Sequence, residues 1–255
     1  MADLAIIGGT GLTTLKNLEI SRREVMRTPY GEPSGPLVTG TLCGQEVVFL
    51  ARHGHGHTIP PHMVNYRANI WALHEIGVRN VIAVASVGGI RADLEPGHLA
   101  FPDQIIDYTW SRHNTYFETD LQQVVHIDFT EPYCEALRGL LIEAARDSGI
   151  EAVAGGVYGA TQGPRLETAA EIDRMERDGC DMVGMTGMPE AALARELGLC
   201  YATCAVVANR AAGRGDGPIR MENIERNLEQ GMDRVRRLME AAIPRLPGAG
   251  VHCTV

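Results

Sequence analysis

Six stretches of this chain are apolar at consecutive positions rather than alternate ones. They are LAIIGG from Leu4, EVVFLAR from Glu46, NVIAVAS from Asn80, GGVYGATQG from Gly155, MVGMT from Met182 and YATCAVVAN from Tyr201. Short runs without a polar face predict strands of a sheet that is covered by helices on both sides. Between them the spacing changes to a helical one: NYRANIWALHEIG (65–77), EPYCEALRGLLIEAARDSG (131–149), TAAEIDRMERDG (168–179) and MPEAALARELG (188–198). Each closes on a glycine, the usual C-terminal stop of a helix. A long terminal helix is predicted from Arg220 to Ile243. Strands alternating with helices define an α/β fold. With no repeat, linker or low-complexity tract, one domain over 1–255 is expected.

In α/β sheets ligands collect at the carboxyl ends of the strands. The chemically unusual residues of this chain cluster there: GGTG after the first run, ARHGHGH after the second, SVGG after the third, TQGPRLE after the fourth, MTGMPE after the fifth, and Asn209 at the end of the sixth. Six such ends predict one composite pocket.

Composition limits what that pocket can serve. Of 255 residues, 45% are hydrophobic and 22% charged, with a net charge of −9. That is the make-up of a globular enzyme with no broad basic surface for nucleic acid or anionic membrane. An anionic ligand must then be held by a few local donors. The six cysteines lie mostly in apolar runs and form no CxxC pair, as expected of reduced thiols in a cytoplasmic protein. No signal peptide is expected from MADLAIIGGTG, and no apolar run reaches the ~20 residues that span a bilayer.

IIGGTG (6–11) is a glycine turn in which backbone N–H groups and the Thr10 hydroxyl can meet an anion, although a plain structural turn fits the residues equally. It is neither GxGxxG nor a P-loop, which speaks against a nicotinamide oxidoreductase. In ARHGHGHTIPPH, His53, His55 and His57 would share one face of an extended segment, but no carboxylate or cysteine stands nearby and there is no HExxH frame. No metal is therefore expected. Arg52 with His53 is read instead as a local cationic site for an oxyanion, given the guanidinium's planar fork. Glu167 could be a helix first-turn acid, Thr186 a capping hydroxyl and Asn209 a turn-forming amide. There is no GxSxG elbow and no carboxylate pair for glycoside hydrolysis.

Taken together, IIGGTGL, TPYGEPS, LARHGHGHTIPPHMVNYRANIWAL, GPRLET and GMTGMPE resemble the trimeric purine nucleoside phosphorylase and 5'-methylthioadenosine phosphorylase family over nearly the whole chain. The resemblance implies a central mixed, partly barrel-like sheet flanked by helices, and a homotrimer with sites at subunit interfaces. It implies a pentosyltransferase: phosphate attacks C1' of a nucleoside, releasing a purine and a ribose 1-phosphate, with catalysis by positioning and electrostatics. A nucleoside-binding protein would leave the separate anion donors unexplained, and turnover without phosphate would mark a hydrolase.

By resemblance, Thr10, Arg52, His53, Ala85, Ser86 and Thr186 hold phosphate. The methylthioadenosine branch has a threonine at the Ala85 position, so the backbone or Ser86 must carry that contact. Met185 lies under the ribose. His126 matches a loop that the family donates to the next subunit's pocket. Leu166 and Ala211 face the base, with Leu166 where the family usually has an aromatic ring. Glu167 and Asn209 look like the pair of 6-oxopurine phosphorylases, where the adenine-using branch has serine and aspartate. Chemistry agrees, because a carboxylate accepts the N1–H of hypoxanthine but would face a lone pair on adenine. Ile224 aligns where ordinary purine nucleoside phosphorylases place a histidine on the 5'-hydroxyl, with Met221 one turn earlier on the same helix face; packing into the core is the other reading. An oxopurine half-site beside an apolar 5' half-site implies S-methyl-5'-thioinosine as substrate, with inosine or guanosine next and methylthioadenosine last.

Overall fold

A computed structural model describes residues 2–119 and 121–248. All six apolar runs form strands: β1 (Leu4–Gly8), β4 (Gln45–Ala51), β5 (Asn80–Gly89), β9 (Val157–Ala160), β10 (Met182–Gly184) and β11 (Cys200–Arg210). The five helical patterns form α1 (Tyr66–Glu75), α2 (Glu135–Asp147), α3 (Ala169–Arg177), α4 (Gly187–Glu196) and α5 (Met221–Ala242). Five further strands were not evident in the pattern: β2 (Glu19–Glu24), β3 (Leu37–Leu42), β6 (Leu99–Phe101), β7 (Gln104–Asp107) and β8 (Ala152–Ala154).

All eleven strands join one mixed sheet in the order β2-β3-β4-β1-β5-β10-β9-β7, with β11, β6 and β8 branching from β5. The branch follows from the length of β5. Its first half pairs with β1 in parallel (Leu4↔Asn80 to Ile7↔Ala83), and its end, Gly88 and Gly89, pairs with β10 antiparallel. Its other edge runs beside β11 along the full length. The sheet is thus mixed, as expected, but it forks at β5 and is not closed into a barrel.

The unbroken apolar runs are explained by burial on both faces. Along β1, Leu4 and Ile6 pack into one core layer with Leu137 and Leu141 of α2 and Leu228, Met232 and Val235 of α5. Ala5 and Ile7 face the opposite layer with Ile70 and Leu73 of α1 and Leu193 of α4. A smaller cluster seats α3 through Ile172 and Met175. Cys134, Cys180, Cys200 and Cys204 are buried and Cys43 is exposed, while Cys253 lies outside the described residues. Among those residues no helix is long and apolar enough to cross a membrane.

Candidate active site

The strand ends converge. The end of β1 leads into Gly9 and Thr10, β4 into Arg52 and His53, and β10 into Met185 and Thr186. β5 contributes Ala85 and Ser86, the loop after β9 contributes Leu166 and Glu167, and the end of β11 contributes Asn209 and Ala211. With Met221, Ile224 and Leu228 from α5, these residues line one cavity of about 560 Å³, well within the size range of small-molecule sites. Thirteen of the fourteen expected site residues therefore meet. His126 does not: it is exposed in the segment after residue 120, away from this cavity.

Gly9 shows why the first turn must be glycine. A Cβ there would stand 2.5 Å from the Val84 carbonyl oxygen and 3.1 Å from Arg52 Nη1. Its absence lets the turn after β1 lie against β5 and the guanidinium.

Arg52 is the most committed side chain of the site. It is 1% exposed, and its Nε and Nη2 each donate to Glu190 at 2.7 Å while Nη1 donates to the Val84 carbonyl at 2.9 Å. Glu190, fully buried in the first turn of α4, also accepts the Tyr201 hydroxyl at 2.9 Å. Burial opposes the arginine's charge, but the Glu190 carboxylate more than offsets it and holds the pKa above its ordinary value. The pair is charge-neutral, leaving two guanidinium N–H groups for an oxyanion.

His53 corrects the expectation of two cations. Burial first, then the neighbouring Arg52 charge, pushes its pKa down to about 4, against a weaker opposing effect from Ile59. Its Nδ1 lies 2.8 Å from the Ile59 carbonyl, which can only accept, so Nδ1 carries the hydrogen of a neutral ring. The unfolded chain takes up this proton near pH 6.5 and the fold only near pH 4. The resulting stability is complete above pH 6.5 and is lost as pH falls toward 4, about 3 kcal/mol in all. Urea unfolding at pH 7 and pH 4.5 should show a smaller pH-dependent loss for His53→Gln than for the parent; equal losses would contradict a neutral His53.

Around Glu167 and Asn209 the cavity is organised by contacts that the chain pattern hides. Thr161 Oγ1 donates to Glu167 Oε1 at 2.7 Å, and Thr161 N–H bonds the Gly184 carbonyl at 2.8 Å, tying the ends of β9 and β10 together. Asn209 follows an irregularity in β11, where the pairing with β5 skips Ala208. Such bulges re-aim a side chain. Asn227 of α5 secures it by donating to the Ala208 carbonyl at 2.8 Å. The Asn209 amide donates to the Arg210 carbonyl at 2.6 Å, leaving Oδ1 and one N–H for a ligand. Thr186 makes no side-chain cap on α4, so the capping role is not the one it plays. The Ser86 hydroxyl reaches the Thr10 carbonyl only at 3.4 Å.

The apolar end is formed at the start of α5, where Ile224 is 8% exposed while Met221 is 62% exposed at the rim. Ile224 belongs to the core layer as well as to the cavity wall, so both readings of it hold. His53 and His57 approach ring to ring at 4.7 Å, but among the described residues no group of three or more His, Cys, Asp or Glu could hold a metal ion. Glu190, Tyr201, Thr161, Asn227 and Arg112 were missed from sequence. Glu190 and Arg112 act on partners 138 and 49–76 positions away, so local spacing carries no trace of them. Thr161 grips Glu167 only six positions on, but nothing in TQGPRLE distinguishes that hydroxyl from a turn residue.

Residues 3–244 match the model of the Phosphorylase superfamily. The chain belongs to that superfamily. It is 56% identical over 236 residues to the probable S-methyl-5'-thioinosine phosphorylase of Pseudomonas syringae pv. tomato, covering 92% of this chain and 96% of the relative. It is 45% identical over 252 residues to the 6-oxopurine nucleoside phosphorylase of Pyrococcus furiosus, covering 97% and 94%. Among solved structures, the methylthioadenosine phosphorylase of Schistosoma mansoni bound to adenine superposes with a TM-score of 0.92 at 32% identity, covering 97% and 92%.

Proposed function

We propose that this chain, as one domain over 1–255, catalyses the reversible phosphorolysis of S-methyl-5'-thioinosine. The products are hypoxanthine and 5-methylthioribose 1-phosphate. The observation that carries this reading is that Glu167 and Asn209 line a single cavity together with Ile224 and Met221. Relatives named for methylthioinosine and for 6-oxopurine nucleosides support each half.

In this reading Thr10, Ser86, Thr186, the Ala85 backbone and the two spare N–H groups of Arg52 hold phosphate. His53, neutral and with Nδ1–H engaged, accepts the hydroxyl of hydrogen phosphate on Nε2. A phosphate oxygen forms the new bond to C1' as the C1'–N9 bond breaks, and the electron pair leaves on the purine, which takes up a proton from solvent to become hypoxanthine as the sugar phosphate releases its own. Asn209 donates its spare N–H to N7 or O6 of the departing base, Glu167 accepts N1–H, and Met185 positions the ribose. Catalysis is thus placement and charge stabilisation, without a protein nucleophile, metal or organic cofactor. A homotrimer in the cytoplasm, with His126 lent to the neighbouring pocket, completes the proposal.

Hypoxanthine release from S-methyl-5'-thioinosine should require phosphate, and the sugar product should carry phosphate at C1. Release without phosphate, yielding free methylthioribose, would make the protein a hydrolase. The 5' half-site has its own test. Burying a methylthio group against Ile224 gains about 1–2 kcal/mol, so Ile224→His should shift the kcat/KM ratio of methylthioinosine to inosine toward inosine by about tenfold or more. An unchanged ratio would remove Ile224 from the substrate's surroundings.

A further inference from the structure

Among the described residues, the segment between β7 and α2 contributes none to the cavity wall, yet one of its side chains spans the cavity's supports. Arg112 Nη1 donates to the Met185 carbonyl at 2.8 Å and the Met188 carbonyl at 2.6 Å, with the Tyr66 hydroxyl at 3.4 Å. Its Nη2 donates to the carbonyls of Gln162 at 2.8 Å and Thr161 at 3.2 Å, and Nε to the Gln162 side chain at 3.2 Å. Tyr66 also lies beneath the guanidinium, 5.5 Å from its ring centre. Four backbone carbonyls from two loops thus converge on one planar cation, a geometry that an ammonium group on a flexible stem does not reproduce.

The two loops are the ones that must agree. Thr161 and Gln162 leave β9 and lead to Glu167, which Thr161 itself grips. Met185 and Met188 bracket Thr186 at the end of β10. We propose that Arg112 is a positioning residue that locks the base-reading loop to the sugar- and phosphate-holding loop, so that Glu167 and Met185–Thr186 present one fixed spacing. Arg112 touches no substrate. Its role rests on the phosphorolysis reading for the identity of the ligands, but the lock itself is a property of the two loops. A carboxylate partner for it is absent from the ion pairs among the described residues, so its charge is spent on carbonyl dipoles.

Arg112→Ala and Arg112→Lys are the variants to make, assayed with the nucleoside that the parent turns over best and with hypoxanthine binding measured in parallel. Misplacement of a bound group by about 1 Å can cost about 10²-fold in rate. Arg112→Ala should lose kcat/KM by about that factor, and its preference for 6-oxo over 6-amino nucleosides should shrink, because Glu167 is no longer held in register. Millimolar guanidinium, below any denaturing level, should restore part of the activity to Arg112→Ala, whereas methylammonium should not. Arg112→Lys should recover little. The proposal is overturned by unchanged base preference in Arg112→Ala, or by a loss that cooling or osmolyte corrects and guanidinium does not. If the parent cleaves no purine nucleoside with phosphate, the functional reading falls by itself. The lock is then judged on hypoxanthine affinity, which should drop in Arg112→Ala and return with guanidinium; no drop would overturn it.

Discussion

Glu190→Gln is expected to destabilise the protein by about 3–5 kcal/mol, the usual consequence of removing one partner from a fully buried ion pair. Arg52 is 1% exposed and Glu190 not at all, and the two charges meet through two 2.7 Å hydrogen bonds. Gln can accept one of those bonds but supplies no charge, so the guanidinium would be left buried and uncompensated. In a chain of this size such a loss lowers Tm by about 10 °C. Thermal and urea unfolding measure it directly. The same substitution should raise the KM for phosphate, since Arg52 would no longer be held where its spare N–H groups face the cavity. Tyr201→Phe removes one hydroxyl donor from the Glu190 carboxylate and should cost about 1.5–3 kcal/mol. A Glu190→Gln protein as stable as the parent would mean that the Glu190 charge is not what compensates the buried Arg52 guanidinium.

The second large effect concerns the base. Glu167→Gln with Asn209→Asp should invert the donor–acceptor pattern offered to the purine. A neutral amide at 167 can donate to the bare N1 of adenine, and a carboxylate at 209 can accept from its 6-amino group. Each mismatched buried group costs about 1–3 kcal/mol. The ratio of kcat/KM for methylthioinosine over methylthioadenosine should therefore fall by about 10- to 100-fold per position. Neither residue is locked into the core: Glu167 is bonded only through Thr161 and Asn209 through the adjoining carbonyl, so the double variant should keep the fold. A ratio that stays put after both changes would place the base elsewhere.

The chain pattern revealed the elements that are buried on both faces and hid those that are not. β1, β4, β5 and β11 read as unbroken apolar runs because α2 and α5 cover one side of them and α1 and α4 the other. β2 reads EISRRE and is exposed along nearly all of its length, so nothing in its polarity separates it from a loop. β3 contains Gly40, where a Cβ would stand 2.5 Å from the Glu19 carbonyl, a requirement visible only once β2 is in place. β6 and β8 are three residues each, too short for any period to show.

The site divides in the same way. Thr10, Arg52, Thr186 and Asn209 stand beside strand ends, and strand ends of one sheet must come together, so their meeting was legible. What each atom is free to do was not. The charge of Arg52 is settled by Glu190, 138 positions along the chain. His53 was expected to be cationic, but burial and the adjacent guanidinium keep it neutral. The aim of Asn209 depends on a skipped residue in β11 and on Asn227 from the terminal helix. Arg112 sits in a segment with no periodicity at all, and its importance lies entirely in the four carbonyls it gathers.

The substrate preference of the unmodified protein is measured most directly by kcat/KM for methylthioinosine, inosine and methylthioadenosine at saturating phosphate. Methylthioinosine should be preferred over both, over methylthioadenosine because of Glu167 and Asn209 and over inosine because of the wall at Ile224. Methylthioadenosine as the best substrate would contradict the reading of the base end, and inosine as the best would contradict the reading of the sugar end.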